Sequence, residues 1–124
     1  MQYEARGIVL DDLARRYGGI FREVITTPTI ATLPIKVVTY NPERVALVVV
    51  NGGSQNKYLS PRENVSATNG ITIPVLGGIW TINIIEDFIL PSLEWWMIGT
   101  AVPQAPWILE IVREAVFKEE ANKT

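Results

Sequence analysis

A recurring cadence constrains this chain more than any other feature. Short runs rich in Val, Ile and Thr, each closed by Gly, Pro or Asn, follow one another through most of its length. Strands at intervals of about 8–12 residues with turn signals between them belong to β-sandwiches and small barrels. Arg44 to Asn51 is the clearest strand, strongly β-branched, and Gly52 to Asn56 is a loop of small and amide residues. Lys57–Ser60 is a second short strand, and Val65-Ser66-Ala67 a brief one before the tight-turn pair Asn69-Gly70. Ile71–Ile73 alternates and stops at Pro74. Gly77-Gly78 turns into a run from Ile79 to Ile85, Glu94–Thr100 makes another strand, and Pro103 to Pro106 a further turn. Both Gly-Gly pairs read as hairpin turns: neither is followed by the Lys-Ser/Thr and helix of a phosphate-binding loop.

The segments flanking this body differ from it. Residues 9–17 read as a short helix, with Val9, Leu13 and Tyr17 (or Leu10, Leu13, Ala14 and Tyr17) on one face. Asp11 and Asp12 sit in its first turn and Arg15 and Arg16 in its last, the order the helix dipole favours, and Gly18-Gly19 ends it. Nine residues do not hold a helix alone in water, so it must dock. Ile20 to Leu33 should be extended, at an edge because Pro28 and Pro34 bar a central position, and held by contacts outside its own β body. Residues 107–117 fit a helical face through Ile108, Ile111, Val112, Ala115 and Val116, but Trp-Ile-Leu-Glu-Ile-Val is also a good strand and the architecture needs a closing one, so a strand is expected there. The expected organisation is an N-terminal helix and extended arm over 1–34, a β domain over 35–117 and a polar tail over 118–124. The expected fold class is all-β: a sandwich or jelly-roll-like small barrel of about six to eight strands. The rival is an α+β fold with 107–117 helical.

Composition argues against chemistry. The 124 residues include no cysteine and no histidine, which removes thiol nucleophiles, zinc-thiolate sites and the commonest general base and neutral metal ligand. The serines Ser54, Ser60, Ser66 and Ser92 have no histidine to activate them, and no motif sets Lys36 or Lys57 beside one. Glu86, Asp87 and Glu94 are the carboxylates nearest a pocket, but a strand-end turn accounts for the first two. No catalytic residue, metal site or cofactor is expected. Arg15-Arg16 is the one basic pair, so nothing forms the stripe of a nucleic-acid binder. No apolar run reaches the ~18 residues that span a bilayer, and acidic Glu4, Asp11 and Asp12 read against a secretory signal, which makes the sequon Asn64-Val65-Ser66 accidental.

What composition does favour is contact with other subunits. Hydrophobic residues make 48% of the chain and charged ones 19%, below the usual ~25%. Part of that apolar surplus should lie on a face another subunit covers. Trp95 and Trp96 are adjacent, so on a strand one faces the core and the other an outer surface. Leu13, Tyr17, Ile20, Phe21, Ile30, Trp95 and Trp96 are the candidate interface residues. A sugar platform built on Trp95 or Trp96 is the alternative use of the exposed indole.

The order of elements also carries a likeness. Asn41-Pro42-Glu43-Arg44 enters an aliphatic strand ending in Asn51-Gly52; Lys57–Ser60, Val65-Ser66 and Asn69-Gly70-Ile71 follow; Trp95 to Thr100 leads to a final strand with Ile108-Leu109-Glu110. Over residues 36–112 this resembles small β domains among structural proteins of tailed-bacteriophage virions. The resemblance implies a virion component such as a capsid decoration or cement protein, a head-fibre base or a tail-associated part. Its implied partners are the major capsid or tail proteins and further copies of itself, as a homotrimer. It supplies no catalytic residue. The N-terminal helix and Pro-containing arm depart from the simplest members.

Overall fold

The computed structural model describes residues 15–16 and 18–114. The helix expected over 9–17 lies outside them except for Arg15 and Arg16, which are helical, and so does the tail 118–124.

The chain is an all-β sandwich of two four-stranded antiparallel sheets. Its strands are β1 (Ile20–Thr26), β2 (Ile35–Val38), β3 (Arg44–Asn51), β4 (Lys57–Ser60), β5 (Ile71–Ile73), β6 (Gly78–Asn83), β7 (Trp95–Ile98) and β8 (Trp107–Glu114). A one-turn helix α1 (Ile84–Asp87) and a 3-10 turn (Leu90–Ser92) bridge β6 and β7. The sheets run β1-β8-β3-β6 and β2-β7-β4-β5. The pairs β1/β8, β2/β7, β3/β6 and β4/β5 are nested, as in one long hairpin. Rolling that hairpin up adds the contacts β3/β8 and β4/β7. This is jelly-roll winding, in which successive strands change sheet everywhere except from β4 to β5.

The residues dictate it strand by strand. Leu47 and Val49 point inward from β3 to meet Ile108 of β8 and Ile82 of β6. From the other sheet Leu59, Ile73, Trp95 and Met97 close the core, with Trp80 edge-on to Trp95 at 4.8 Å between ring centres. Residues 107–114 form the closing strand and not a helix, because β8 fills the slot between β1 and β3.

Several expectations need correction. The segment Ile20 to Leu33 is extended and begins at a sheet edge, but its own body holds it. β1 pairs with β8 from Ile20↔Glu114 to Thr26↔Ile108, and Ile30 is buried, exchanging backbone hydrogen bonds with Gln104 at 2.7 and 3.0 Å. Gly52-Gly53 and Gly77-Gly78 are not hairpin turns, since each carries the chain from one sheet to the other. Val65-Ser66-Ala67 is loop, its one core contribution being buried Val65. The run from Ile79 leaves the strand after Asn83, whose Oδ1 accepts from the Ile85 and Glu86 amides at 3.0 Å and starts α1.

Candidate protein interface on the outer sheet face

The two faces of the β1-β8-β3-β6 sheet are both apolar. Val48 and Val50 alternate with the inward residues of β3 and therefore point out. Cross-strand register places Ile79 and Trp107 beside Val50, and Thr81, Leu109 and Ile25 in the row of Val48. The next row holds Asn83, Ala46, Ile111 and Glu23. Eight of these side chains are aliphatic or aromatic, and Glu23 is the one charge among them. Edge residue Ile79 is 64% exposed. A sheet facing water on one side normally alternates apolar with polar, and this one does not.

The face continues into the β6–β7 crossover. Ile85, Phe88 and Ile89 stand 68%, 78% and 69% exposed within five residues of chain. Phe88 holds φ 56° and ψ −115°, close to the position of a type II′ turn that glycine ordinarily takes. A large residue there costs about 1–3 kcal/mol, which nothing in the packing of its exposed ring returns. The crossover is nonetheless firmly placed. Arg44, 1% exposed, donates through Nη1 to the Pro91 and Leu93 carbonyls at 3.0 Å each and through Nη2 to Thr39 O at 2.6 Å. Trp95 Nε1 donates to Leu90 O at 3.1 Å. Between crossover and sheet lies an apolar cavity of about 140 Å³, lined by Phe21, Val45, Ala46, Ile84, Ile85 and Ile111 with Asn83.

The opposite outer face is smaller and more polar. Trp96 points out from β7 in register with Lys36 and Ser60. Its Nε1 donates to Glu94 Oε2 at 2.9 Å, and Lys36 Nζ lies 5.4 Å from its ring centre and 3.3 Å from the same carboxylate. Trp96 and Glu94 border an open concavity of about 350 Å³ completed by Pro61, Arg62, Glu63 and Asn64.

The expected interface residues are thus scattered. Leu13 and Tyr17 lie outside the described residues. Ile20 is half exposed at the start of β1. Ile30 and Trp95 are buried in the chain's own core and offer nothing to a partner, and Phe21 is 5% exposed at the edge of the apolar cavity. Trp96 alone of the tryptophan pair faces out, as the adjacency argument requires. Sequence reasoning missed Val48, Val50, Leu109, Ile111, Ile79 and Phe88. The unbroken aliphatic run from Val45 to Val50, with no polar residue at alternate positions, was the available signal.

Two polar clusters adjoin at one end of the sandwich, sharing the Gln55 carbonyl. Asn51, buried, donates to the carbonyls of Gln55, Ile73 and Pro74 and accepts from Gly53 N. Lys57, also buried, donates to Gln104 Oε1 at 2.7 Å and Gln55 O at 3.2 Å, and burial lowers its pKa from the usual 10.5. Among the described residues no group of three or more His, Cys, Asp or Glu is placed to hold a metal, and no helix is long and apolar enough to cross a membrane.

No family model and no curated protein matches the chain. Among solved structures, a chain of the Bacillus endospore appendages, described as a novel family of disulfide-linked pili, is similar. It is 12% identical and superposes with a TM-score of 0.48 over 77% of this chain and 88% of that one.

Proposed function

We propose that this protein is a non-catalytic assembly subunit whose jelly-roll body packs against other protein subunits of a larger particle. The outer face of the β1-β8-β3-β6 sheet carries the reading, with eight apolar side chains and one charge in three adjacent rows. A face of that composition suits the covered core of a subunit contact, where charges are depleted. A finer placement, as a capsid decoration, cement or minor capsid protein of a tailed phage, rests on the resemblance of residues 36–112. Jelly rolls serve in capsids and in lectins alike, so topology does not separate those roles. Mass spectrometry of gradient-purified virions from the producing culture tests the placement. The chain should be present in stoichiometric amounts, and its absence from the particles would remove the virion reading.

A second reading has its own observation. Outward Trp96 beside a concavity bordered by Glu94, Arg62, Glu63 and Asn64 has the mix of indole and hydrogen-bonding groups that a sugar ring uses. Against it, the indole N–H is already bonded to Glu94 and one cation sits near the ring. Glycan-array binding that disappears in Trp96→Ala would promote this reading over the first.

A further inference from the structure

Two features of the β6–β7 crossover are complementary in shape but do not meet within one molecule. Phe88 projects its ring into solvent, 78% exposed, from a left-handed backbone conformation that glycine would hold without strain. Beside it, the cavity lined by Phe21, Val45, Ala46, Ile84 and Ile111 is apolar and about 140 Å³ in volume. An apolar cavity of about 150 Å³ is enough to take a benzene ring. Resting on the assembly reading above, the geometry points to a second copy of this chain as the occupant: Phe88 of one copy enters the cavity of another.

Symmetry makes the match productive. Prong and cavity share one face and one crossover, so a closed arrangement of copies fills every cavity and covers every prong without leaving a sticky end. The surface is large enough. Four strands spaced about 4.8 Å apart and six residues at about 3.3 Å each give a face of roughly 400 Å². With Ile85, Phe88 and Ile89 added, each copy reaches the ~500 Å² at which a specific interface becomes reasonable, in the range of weak reversible association.

Sedimentation velocity on the full chain at micromolar concentrations tests this with two variants. Phe88→Gly removes the prong and relieves its backbone, so urea stability should hold or rise. Ala46→Leu fills the cavity from within while keeping the sheet. The wild type should associate reversibly, and each variant should weaken association at least ~10-fold, as loss of a central aromatic anchor does. Association of the wild type matched by both folded variants would overturn the prong-and-cavity contact and leave the assembly reading standing. A wild type that stays monomeric would overturn this contact too, while assembly on a particle is judged separately by virion composition.

Discussion

Arg44 Nε donates to Glu110 Oε1 at 2.6 Å, joining neighbouring strands β3 and β8 at one end of the core across 66 positions of sequence. The guanidinium is 1% exposed and also holds three backbone carbonyls, so one side chain ties the closing strand, the end of β2 and the β6–β7 crossover together. A buried ion pair is weak evidence of net stabilisation by itself. Here it sets where the crossover, and hence Phe88, stands.

Truncating that arginine strands a carboxylate that is only 13% exposed, together with three carbonyls. Arg44→Ala should cost about 3–5 kcal/mol in urea unfolding. A loss under about 1 kcal/mol would mean water replaces the guanidinium freely.

Asn51 closes the other end, where the β3–β4 and β5–β6 crossings meet: Leu76 N donates to Gly53 O at 2.9 Å and Gly77 N to Asn51 O at 2.7 Å. Asn51→Leu keeps the volume and removes the amide that serves Ile73 O and Gln55 O. The expected loss is about 2–3 kcal/mol. Amide exchange should quicken first at Leu76 and Gly77.

Glycine supplies a matched pair of tests. A Cβ on Gly78 would strike the backbone of Pro74, whereas one on Gly52 meets nothing within 4 Å. Gly78→Ala should destabilise by about 1–3 kcal/mol. Gly52→Ala should be neutral or stabilising by up to about 1 kcal/mol.

Lys57 predicts the direction of a pH effect. Its folded pKa lies below the unfolded 10.5 because burial disfavours the cation. Between those two values the unfolded chain binds more protons, so stability rises with pH in that alkaline window, and below it the full cost of the buried charge is present. The stability difference between wild type and Lys57→Met should therefore move in favour of wild type as pH climbs towards 10.5. A difference independent of pH would show that the lysine is solvated.

Local signals account for what the sequence made legible. β3 and β4 fall on the expected residues because each is a β-rich run with turn residues at its end. What local signals do not encode is which sheet a strand joins. Gly52-Gly53 announces a turn equally well for a hairpin or for a change of sheet, and the pairing partners of β3, residues 78–83 and 107–112, decide. The helix at Ile84–Asp87 was masked by two isoleucines that continue a strand pattern, leaving Asn83 as its only marker. Arg44 and Glu110 meet only after the chain has rolled up. Tryptophans are conspicuous in a sequence, yet of the adjacent pair only Trp96 faces out. The more extensive apolar face belongs to valines and isoleucines that pass for core until register shows which way each points.

A single lysine on the outer face tests whether that face is a subunit contact. Val48 sits in the middle of that face, so Val48→Lys should cost less than about 1 kcal/mol of stability, because the amine can extend into water. Quantitative co-sedimentation with purified particles, wild type in competition with the folded variant, then reads the contact alone. Wild type should be retained and Val48→Lys lost by at least ~10-fold. Equal retention of the two would contradict a subunit contact there.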